Sequence, residues 1–374
     1  MAGEPIRPSA AEARRRAEAA ELDERILGFI ARSSATWRAD AAEFNALALA
    51  LFAHQYQYNE TYRRWCERRG ATPATITDWR QVPAVPTRAF KALTLTSFPA
   101  EQATIEYRTS GTTEGRSGRH LLESNRVYDA ALLAAFRHHV LPDGVRLPAV
   151  VLFPNQASLP HSSLAHMLSL VVAELCAGGE WFITPEGADL AGACRALARH
   201  AQAGRPVLLL GTAYSFVHLL EALPGPLALP RGSRLMDTGG YKGRSREIPR
   251  TELLAGYRER LGLGPEWVVN EYGMTELGSQ CYDGPLGRTG ERLQTTPPWL
   301  GAEVVDPQTL APVPPGELGI LKHVDLANRD SVMAVQTDDL GCMEAGGFRL
   351  LGRAQGADLR GCSLTVEEIL ARAR

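Results

Sequence analysis

Between Tyr107 and Gly118 the chain reads Tyr-Arg-Thr-Ser-Gly-Thr-Thr-Glu-Gly-Arg-Ser-Gly, mixing the glycines Gly111, Gly115 and Gly118 with the hydroxyls of Thr109, Ser110, Thr112 and Thr113. Glycine lets successive backbone N–H groups turn toward one anion, hydroxyls add neutral donors, and Arg116 and Arg119 add charge, which is the chemistry of holding a triphosphate tail. The lysine-bearing pattern G-x-x-x-x-G-K-[ST] does not occur here, and the same composition also makes an ordinary surface turn. A second cluster, Asn270-Glu-Tyr-Gly-Met-Thr-Glu276, sets a Tyr-Gly turn and a carboxylate behind an apolar run. Open α/β sheets meet nucleotides at such strand ends. A third, Val335-Gln-Thr-Asp-Asp339 followed by Phe348-Arg-Leu-Leu-Gly-Arg353, offers paired carboxylates ahead of a Gly-Arg turn, or plain strand ends.

These segments need a scaffold to bring them together. Leu22, Ile26, Phe29 and Ile30 fall on one helical stripe, and Phe44, Leu47, Leu51 and Tyr58 continue that period, so residues 1–80 read as a helical entry segment. The proline-rich stretch Val82–Thr87 breaks it. Apolar runs at Ala149–Phe153, Pro206–Leu210, Arg234–Met236 and Trp267–Val269 read as buried strands. Helical patterns alternate with them at Ser162–Cys176, Asp189–Ala203, Thr212–Leu223 and Arg250–Leu261. Strand–helix alternation predicts an α/β fold with the sheet covered on both faces. After Thr295 the texture turns to Pro/Gly turns and short strands (Glu303–Val305, Gly319–Val324, Met333–Gln336), a β-rich lobe, with a short last helix at Val366–Arg374.

Composition narrows the function classes. Forty Lys plus Arg stand against 42 Asp plus Glu in 374 residues, and no basic stripe with interleaved aromatics is present, which disfavours nucleic acid as a ligand. No apolar run is long enough for a membrane span, and no signal-peptide pattern opens the chain, so a cytoplasmic protein is expected. The six cysteines, Cys66, Cys176, Cys194, Cys281, Cys342 and Cys362, show no CxxC or metal-ligand spacing and read as reduced thiols.

In order and spacing, the three clusters resemble the adenylate-forming superfamily of acyl- and aryl-CoA synthetases, nonribosomal adenylation domains and luciferases. Within it the chain is most similar to the LuxE-like acyl-protein synthetases, through Ala89-Phe-Lys91, Gly211-Thr212, Gly239-Gly-Tyr-Lys-Gly243, Glu276-Leu-Gly-Ser-Gln280 and Leu351-Gly-Arg-Ala-Gln-Gly-Ala-Asp-Leu-Arg-Gly-Cys-Ser363. The likeness runs from about residue 80 to the end. It implies an adenylate-forming large N-terminal domain: a helical segment over 1–80, an ATP-binding core over 81–340, and a truncated hinge segment over 341–374. Superfamily members continue past this point into a small domain carrying a catalytic lysine, which the resemblance implies is absent or vestigial here.

The resemblance also implies roles. ATP and Mg²⁺ are the cofactors and a small-molecule carboxylic acid is the substrate, activated as acyl-AMP with release of pyrophosphate. Ser110, Gly111, Thr112, Thr113 and Gly115 would wrap the β- and γ-phosphates, with Thr112 among the catalytic groups, and Glu276 would hold Mg²⁺. Tyr272 would pack on the adenine, with Gly273 and Thr275 in the same nucleotide-binding turn. Gly239 and Gly240 would admit close backbone approach, and Asp339 and Arg353 would meet the ribose side. Two departures stand out. Glu114 occupies a position where the superfamily has glycine, and the catalytic lysine of the C-terminal domain has no counterpart, so Lys242 is named as the cation for the α-phosphate, against an ordinary loop lysine. His161 and Gly211 are expected to border the acid, although His161 equally suits a helix cap. The acyl group would pass to a thiol, that of Cys362 (with Cys281 as second candidate) or of an acceptor or carrier protein. The alternatives are CoA or an amine as acceptor, and a nucleotide-binding subunit without turnover.

Overall fold

The computed structural model describes residues 9–109, 117–239 and 248–354. Three helices come first: α1 (Ala10–Thr36), α2 (Ala41–Tyr58) and α3 (Glu60–Glu67), each capped by a side chain, Ser9, Asp40 and Asn59, that accepts a first-turn N–H. A two-residue strand β1 (Val85–Pro86) and a hairpin of β2 (Ile105–Arg108) and β3 (Arg119–Leu122) follow. Then come α4 (Arg126–Val140), β4 (Ala149–Leu152), α5 (Ser163–Leu175), β5 (Gly179–Trp181) and a small hairpin of β6 (Ile183–Thr184) and β7 (Gly187–Ala188). The alternation continues through α6 (Leu190–Gln202), β8 (Leu208–Thr212), α7 (Ala213–Ala222), β9 (Arg234–Thr238), α8 (Arg250–Leu261), β10 (Val268–Tyr272) and β11 (Cys281–Tyr282). Four strands complete the described chain: β12 (Leu300–Val305), β13 (Gly319–Asp325), β14 (Ala334–Glu344) and β15 (Gly347–Arg353).

The main sheet has the order β11-β10-β9-β8-β4-β5, parallel except for β11. The inner strands β4, β8, β9 and β10 are buried on both faces, while the edge strand β5 is largely exposed. In β4, Ala149 and Val151 join the core that contains Leu132 and Phe136 of α4 and Leu168 and Val171 of α5, while Val150 and Leu152 join Ala196, Phe216 and Tyr257 of α6, α7 and α8. This is the α/β arrangement that strand–helix alternation predicts. The β-rich lobe is a second sheet, β1-β14-β13-β12 with β15 also on β14. The entry helices share the first core: Ile26, Phe29, Leu51 and Phe52 pack in one cluster with Met236 and Val335.

Expected elements shift by a few residues, with larger differences in the lobe. The strand expected at Met333–Gln336 runs to Glu344, so Thr337, Asp338 and Asp339 lie inside β14 and not at its end. The reason is the partner β15, whose pairing from Asp339↔Arg353 to Glu344↔Gly347 extends the ladder past the polar residues. Helix α4 and the β2–β3 hairpin are additional to the elements read from sequence. Residue 80 falls in a short 3-10 turn and residue 340 within β14. The helix expected at Val366–Arg374 lies outside the described residues. Among the described residues no helix is long and apolar enough to cross a membrane.

Candidate active site

The site lies where open α/β sheets bind ligands, at the C-terminal ends of the parallel strands. Strand β8 ends in Gly211-Thr212, and Thr212 is at once its last residue and the cap of α7, exchanging hydrogen bonds with Ser215. Gly211 is buried against Leu152 and Ser215. Strand β9 ends in Thr238, followed by Gly239 at φ +71, a left-handed turn that suits glycine. Gly240 and Lys242 lie outside the described residues. Strand β10 ends in Tyr272, and a β-carbon at Gly273 would run into the Glu271 carboxylate, which already accepts from the Thr238 hydroxyl.

The loop from Thr109 to Gly118 closes at its base. Thr109 N–H donates to the Gly118 carbonyl (2.9 Å) and Gly118 N–H to Thr109 Oγ1 (2.8 Å). Ser110, Gly111, Thr112, Thr113, Glu114, Gly115 and Arg116 lie outside the described residues. The strand leaving this base carries His120, which is 2 % exposed, and its Nδ1 donates to the Thr275 carbonyl at 2.6 Å. On the far side of the same turn, Tyr272 donates its hydroxyl to Asp339 Oδ2 at 2.8 Å, across 67 residues of chain. Arg353 Nε reaches Asp339 Oδ1 at 3.2 Å with its side chain 69 % exposed. Loop base, Tyr-Gly-Met-Thr-Glu turn, Asp339 and Arg353 thus form one continuous chain of contacts, bringing the three clusters of the sequence together.

Burial sets the electrostatics. The Tyr272 ring is packed by His323 and Phe348, and burial pushes its phenol well above the ordinary value, so it stays a donor. The imidazole of His120 is pushed down by burial, against the Thr275 and Asn328 contacts that favour its charged form. Glu276 is buried, and its carbonyl accepts from Asn328 Nδ2 at 2.8 Å. Among the described residues no group of three or more His, Cys, Asp or Glu side chains is placed to hold a metal ion. A single carboxylate such as that of Glu276, one residue from the Thr275 carbonyl that His120 holds, nevertheless fits Mg²⁺, which keeps waters and takes one or two carboxylates plus substrate phosphates.

His161 is exposed and fastened to the strand that enters the loop: Arg108 N–H donates to its carbonyl at 2.8 Å, and its Nδ1 donates to the Glu106 carbonyl at 2.9 Å. Cys281, the second acceptor candidate, is removed by the structure, since it is 1 % exposed under Tyr272 and Leu300 and burial pushes its thiol far up. Burial likewise raises Cys66 and Cys176 to about 12, and raises Cys194 and Cys342. Cys362 lies outside the described residues. Sequence reading misses His120, Asp325 and Asn328. The one signal is density: Asp325-Leu-Ala-Asn-Arg-Asp-Ser331 holds five polar residues between apolar flanks, and all five are buried.

The fold and the site define an adenylate-forming ligase. The chain belongs to the family described as acyl-protein synthetase, LuxE, whose profile matches residues 17–371. It is 25% identical over 335 residues to the long-chain-fatty-acid–luciferin-component ligase of Vibrio harveyi, covering 84% of this chain and 85% of that protein. To the Aliivibrio fischeri protein of the same name it is 23% identical over 303 residues, 78% and 77% of the two chains. Among solved structures, an open conformation of 2-hydroxyisobutyryl-CoA ligase in complex with 2-HIB-AMP and CoA has the same fold, at TM-score 0.60, 17% identity, and 84% and 70% coverage of the two chains. The chain spans half the length of MatB from Rhodopseudomonas palustris, at 18% identity, TM-score 0.45 and 71% coverage of this chain.

Proposed function

We propose that this chain, working in the cytoplasm, activates a carboxylic acid with ATP as acyl-AMP and passes the acyl group to a thiol, with residues 81–340 as the ATP-binding core, 1–80 as a helical segment and 341–374 as a hinge segment. The observation that carries this reading is the contact chain from the loop base through Thr275 to Tyr272, Asp339 and Arg353. The names of the two luciferin-component ligases support a long-chain fatty acid as substrate.

In the first step a carboxylate oxygen attacks the α-phosphorus, the bond to the bridging oxygen breaks, and pyrophosphate leaves. Both reactants are anionic, so the site must cancel repulsion and hold them in line. Ser110, Gly111, Thr112, Thr113 and Gly115 hold the β- and γ-phosphates, and Lys242 supplies positive charge at the α-phosphate. Glu276 is the protein ligand of Mg²⁺, which when bound neutralises phosphate charge. Gly239, Gly240, Tyr272, Gly273 and Thr275 border the base, Asp339 accepts from the ribose hydroxyls beside Arg353, and His161 and Gly211 border the acid. In the second step a thiolate sulfur attacks the acyl carbon, the bond to AMP breaks, and the thiol proton goes to solvent. Burial raises each described thiol away from thiolate character, which supports Cys362 or a partner protein's thiol as acceptor.

Acid-dependent ATP–pyrophosphate exchange over a panel of fatty, aryl and amino acids tests the first step; no exchange with any acid overturns it. Intact-mass measurement after incubation with ATP and acid tests the acceptor. A hydroxylamine-labile adduct lost in Cys362→Ser assigns it, and one that persists moves the acyl group elsewhere.

A further inference from the structure

The turn after Tyr272 is gripped from behind by the segment that joins β13 to β14. Asp325, fully buried, accepts from Gly278 N–H (2.8 Å), Ser279 Oγ (2.7 Å) and Ala327 N–H (2.9 Å). A β-carbon at Gly278 would fall 2.8 Å from the Ala327 carbonyl oxygen, so the two backbones meet at a distance only glycine permits. Asn328 is 1 % exposed and uses its whole amide. Its Nδ2 donates to the carbonyls of Glu276 (2.8 Å) and Val332 (2.9 Å), and its Oδ1 sits 3.0 Å from His120 Nε2. The same segment is bolted to the rest of the protein by other residues. Gln55 of α2 donates to the Asn328 and Arg329 carbonyls and accepts from Met333 N–H, and Ser331 Oγ donates to the Leu95 carbonyl (2.7 Å).

We propose that Asn328, together with His120, is a positioning residue that aims Glu276 at the phosphates. This rests on the nucleotide-binding reading above. Two groups converge on consecutive carbonyls, Thr275 and Glu276, one from the strand leaving the phosphate loop and one from the buried segment behind it. Each carbonyl fixes the peptide plane on one side of the Glu276 α-carbon, and so the direction in which its side chain leaves. His120 ties the loop base to the Thr275 carbonyl and Asn328 ties the buried segment to the Glu276 carbonyl, with the two side chains packed at 3.0 Å, so loop base and turn hold one register, and a carboxylate that must meet the cation held by the phosphates needs that register. Outer groups that orient a metal ligand typically carry about 10–100-fold in metal affinity.

The test uses Asn328→Asp, which keeps shape but removes the N–H donors to the Glu276 carbonyl, and His120→Gln, which breaks the bridge between loop base and turn. Ser331→Ala loosens the same segment without touching the Glu276 turn. Two readouts are taken: the rise in melting temperature caused by Mg·ATP over that caused by ATP with EDTA, and the Mg²⁺ dependence of pyrophosphate exchange. The expected result is loss of most of the Mg²⁺-dependent rise in both site variants, a roughly tenfold increase in half-saturating Mg²⁺ with kcat recovered at high Mg²⁺, and a wild-type response in Ser331→Ala. Wild-type responses in both site variants overturn the inference, as does equal loss in Ser331→Ala, which would mark general softening. Should Asn328→Asp fail to fold, His120→Gln decides by itself. A wild-type protein that ignores Mg·ATP overturns both this inference and the reading beneath it.

Discussion

Two carboxylates, Asp237 next to the end of β9 and Asp339 midway along β14, are each met by an arginine and a tyrosine, yet one arrangement is closed and the other open. Asp237, in the central strand β9, is wholly buried and accepts from the Arg250 guanidinium, the Tyr257 hydroxyl (2.8 Å) and Asn270 Nδ2 (2.9 Å). Asp283 and Arg292 extend the same network, with Arg292 Nη1 at 3.1 Å and Asn270 N–H at 2.8 Å from Asp283. Asp339 has a tyrosine hydroxyl and an arginine as well, but its arginine is 69 % exposed and held through a single nitrogen at 3.2 Å. The closed network holds the sheet end together, with both Asp237 oxygens engaged and Arg250 Nη2 lying 3.8 Å from Asp283. The open one has an arginine free to follow a ligand and a carboxylate with lone pairs to spare. The same residue types do structural work in one place and are available for binding in the other.

The largest effect that separates them is on folding. Asp237→Ala leaves Arg250 and Asn270 without their acceptor, and removing one partner of a buried pair costs about 3–5 kcal/mol. Urea denaturation should show a loss of that size, whereas Asp339→Asn should shift the midpoint only slightly. A mild Asp237→Ala would mean that the two clusters do not differ in the way their exposures indicate.

A third carboxylate sharpens the contrast. Asp325 is closed like Asp237, but among the described residues its partners are neutral donors and not cations, and burial pushes its pKa up to about 6, against its ordinary 3.8. The folded protein then binds more protons than the unfolded chain between those values, so its contribution to stability is present below about pH 4 and is lost as pH rises toward 6. The difference in unfolding free energy between wild type and Asp325→Asn should therefore drift against the wild type over that range, by on the order of 3 kcal/mol, and flatten above pH 7. A flat difference from pH 4 to 7 would show that the neutral donors hold the carboxylate ionised throughout.

For the open cluster the expected effect is on binding. Asp339→Asn keeps one acceptor oxygen but removes the charge, and loss of a charge-assisted contact of about 1.5–3 kcal/mol corresponds to a rise in KM for ATP of roughly 10–100-fold. Pyrophosphate exchange measured against ATP and against acid separates this from a general defect, since KM for the acid should stay within about twofold. Equal change in both constants would assign Asp339 to the structural class of Asp237.

How much of this contrast is legible in sequence follows from where each signal is stored. The parallel strands are written as apolar runs because both of their faces are buried, so β4, β8, β9 and β10 emerge within a few residues. Tyr272, Asp339 and Arg353 emerge because they sit in recognisable local motifs, although nothing local says that the Tyr272 hydroxyl ends on Asp339. Asn328, Asp325 and His120 do not emerge. Their types ordinarily mark exposed loops, and their burial comes from parts of the chain far away in sequence: Gln55 of α2 meets the Asn328 carbonyl across 273 residues, His120 meets the Thr275 carbonyl across 155, and Asp325 meets the Gly278–Ser279 turn. Strand β14 is misjudged in length for a related reason: its polar Thr337 and Asp339 are paid no heed by a ladder whose partner strands supply the pairing.

The smallest effect belongs to Arg353, and its smallness is the informative part. An exposed ion pair contributes less than about 1 kcal/mol to folding, because water screens it and the long side chain loses freedom to make it. Arg353→Ala should thus leave the urea midpoint nearly unchanged. If the arginine serves only to neutralise Asp339, KM for ATP should also barely move, since the Tyr272 hydroxyl still occupies Oδ2. If it swings onto the nucleotide, KM should rise several-fold, and Arg353→Lys should recover part of the loss by restoring the charge without the planar fork. Measuring both variants in the Asp339→Asn background separates the two cases. An arginine that acts through Asp339 adds no further loss there, while one that contacts ATP directly adds its full increment, because distinct contacts to one ligand sum unless they share a partner.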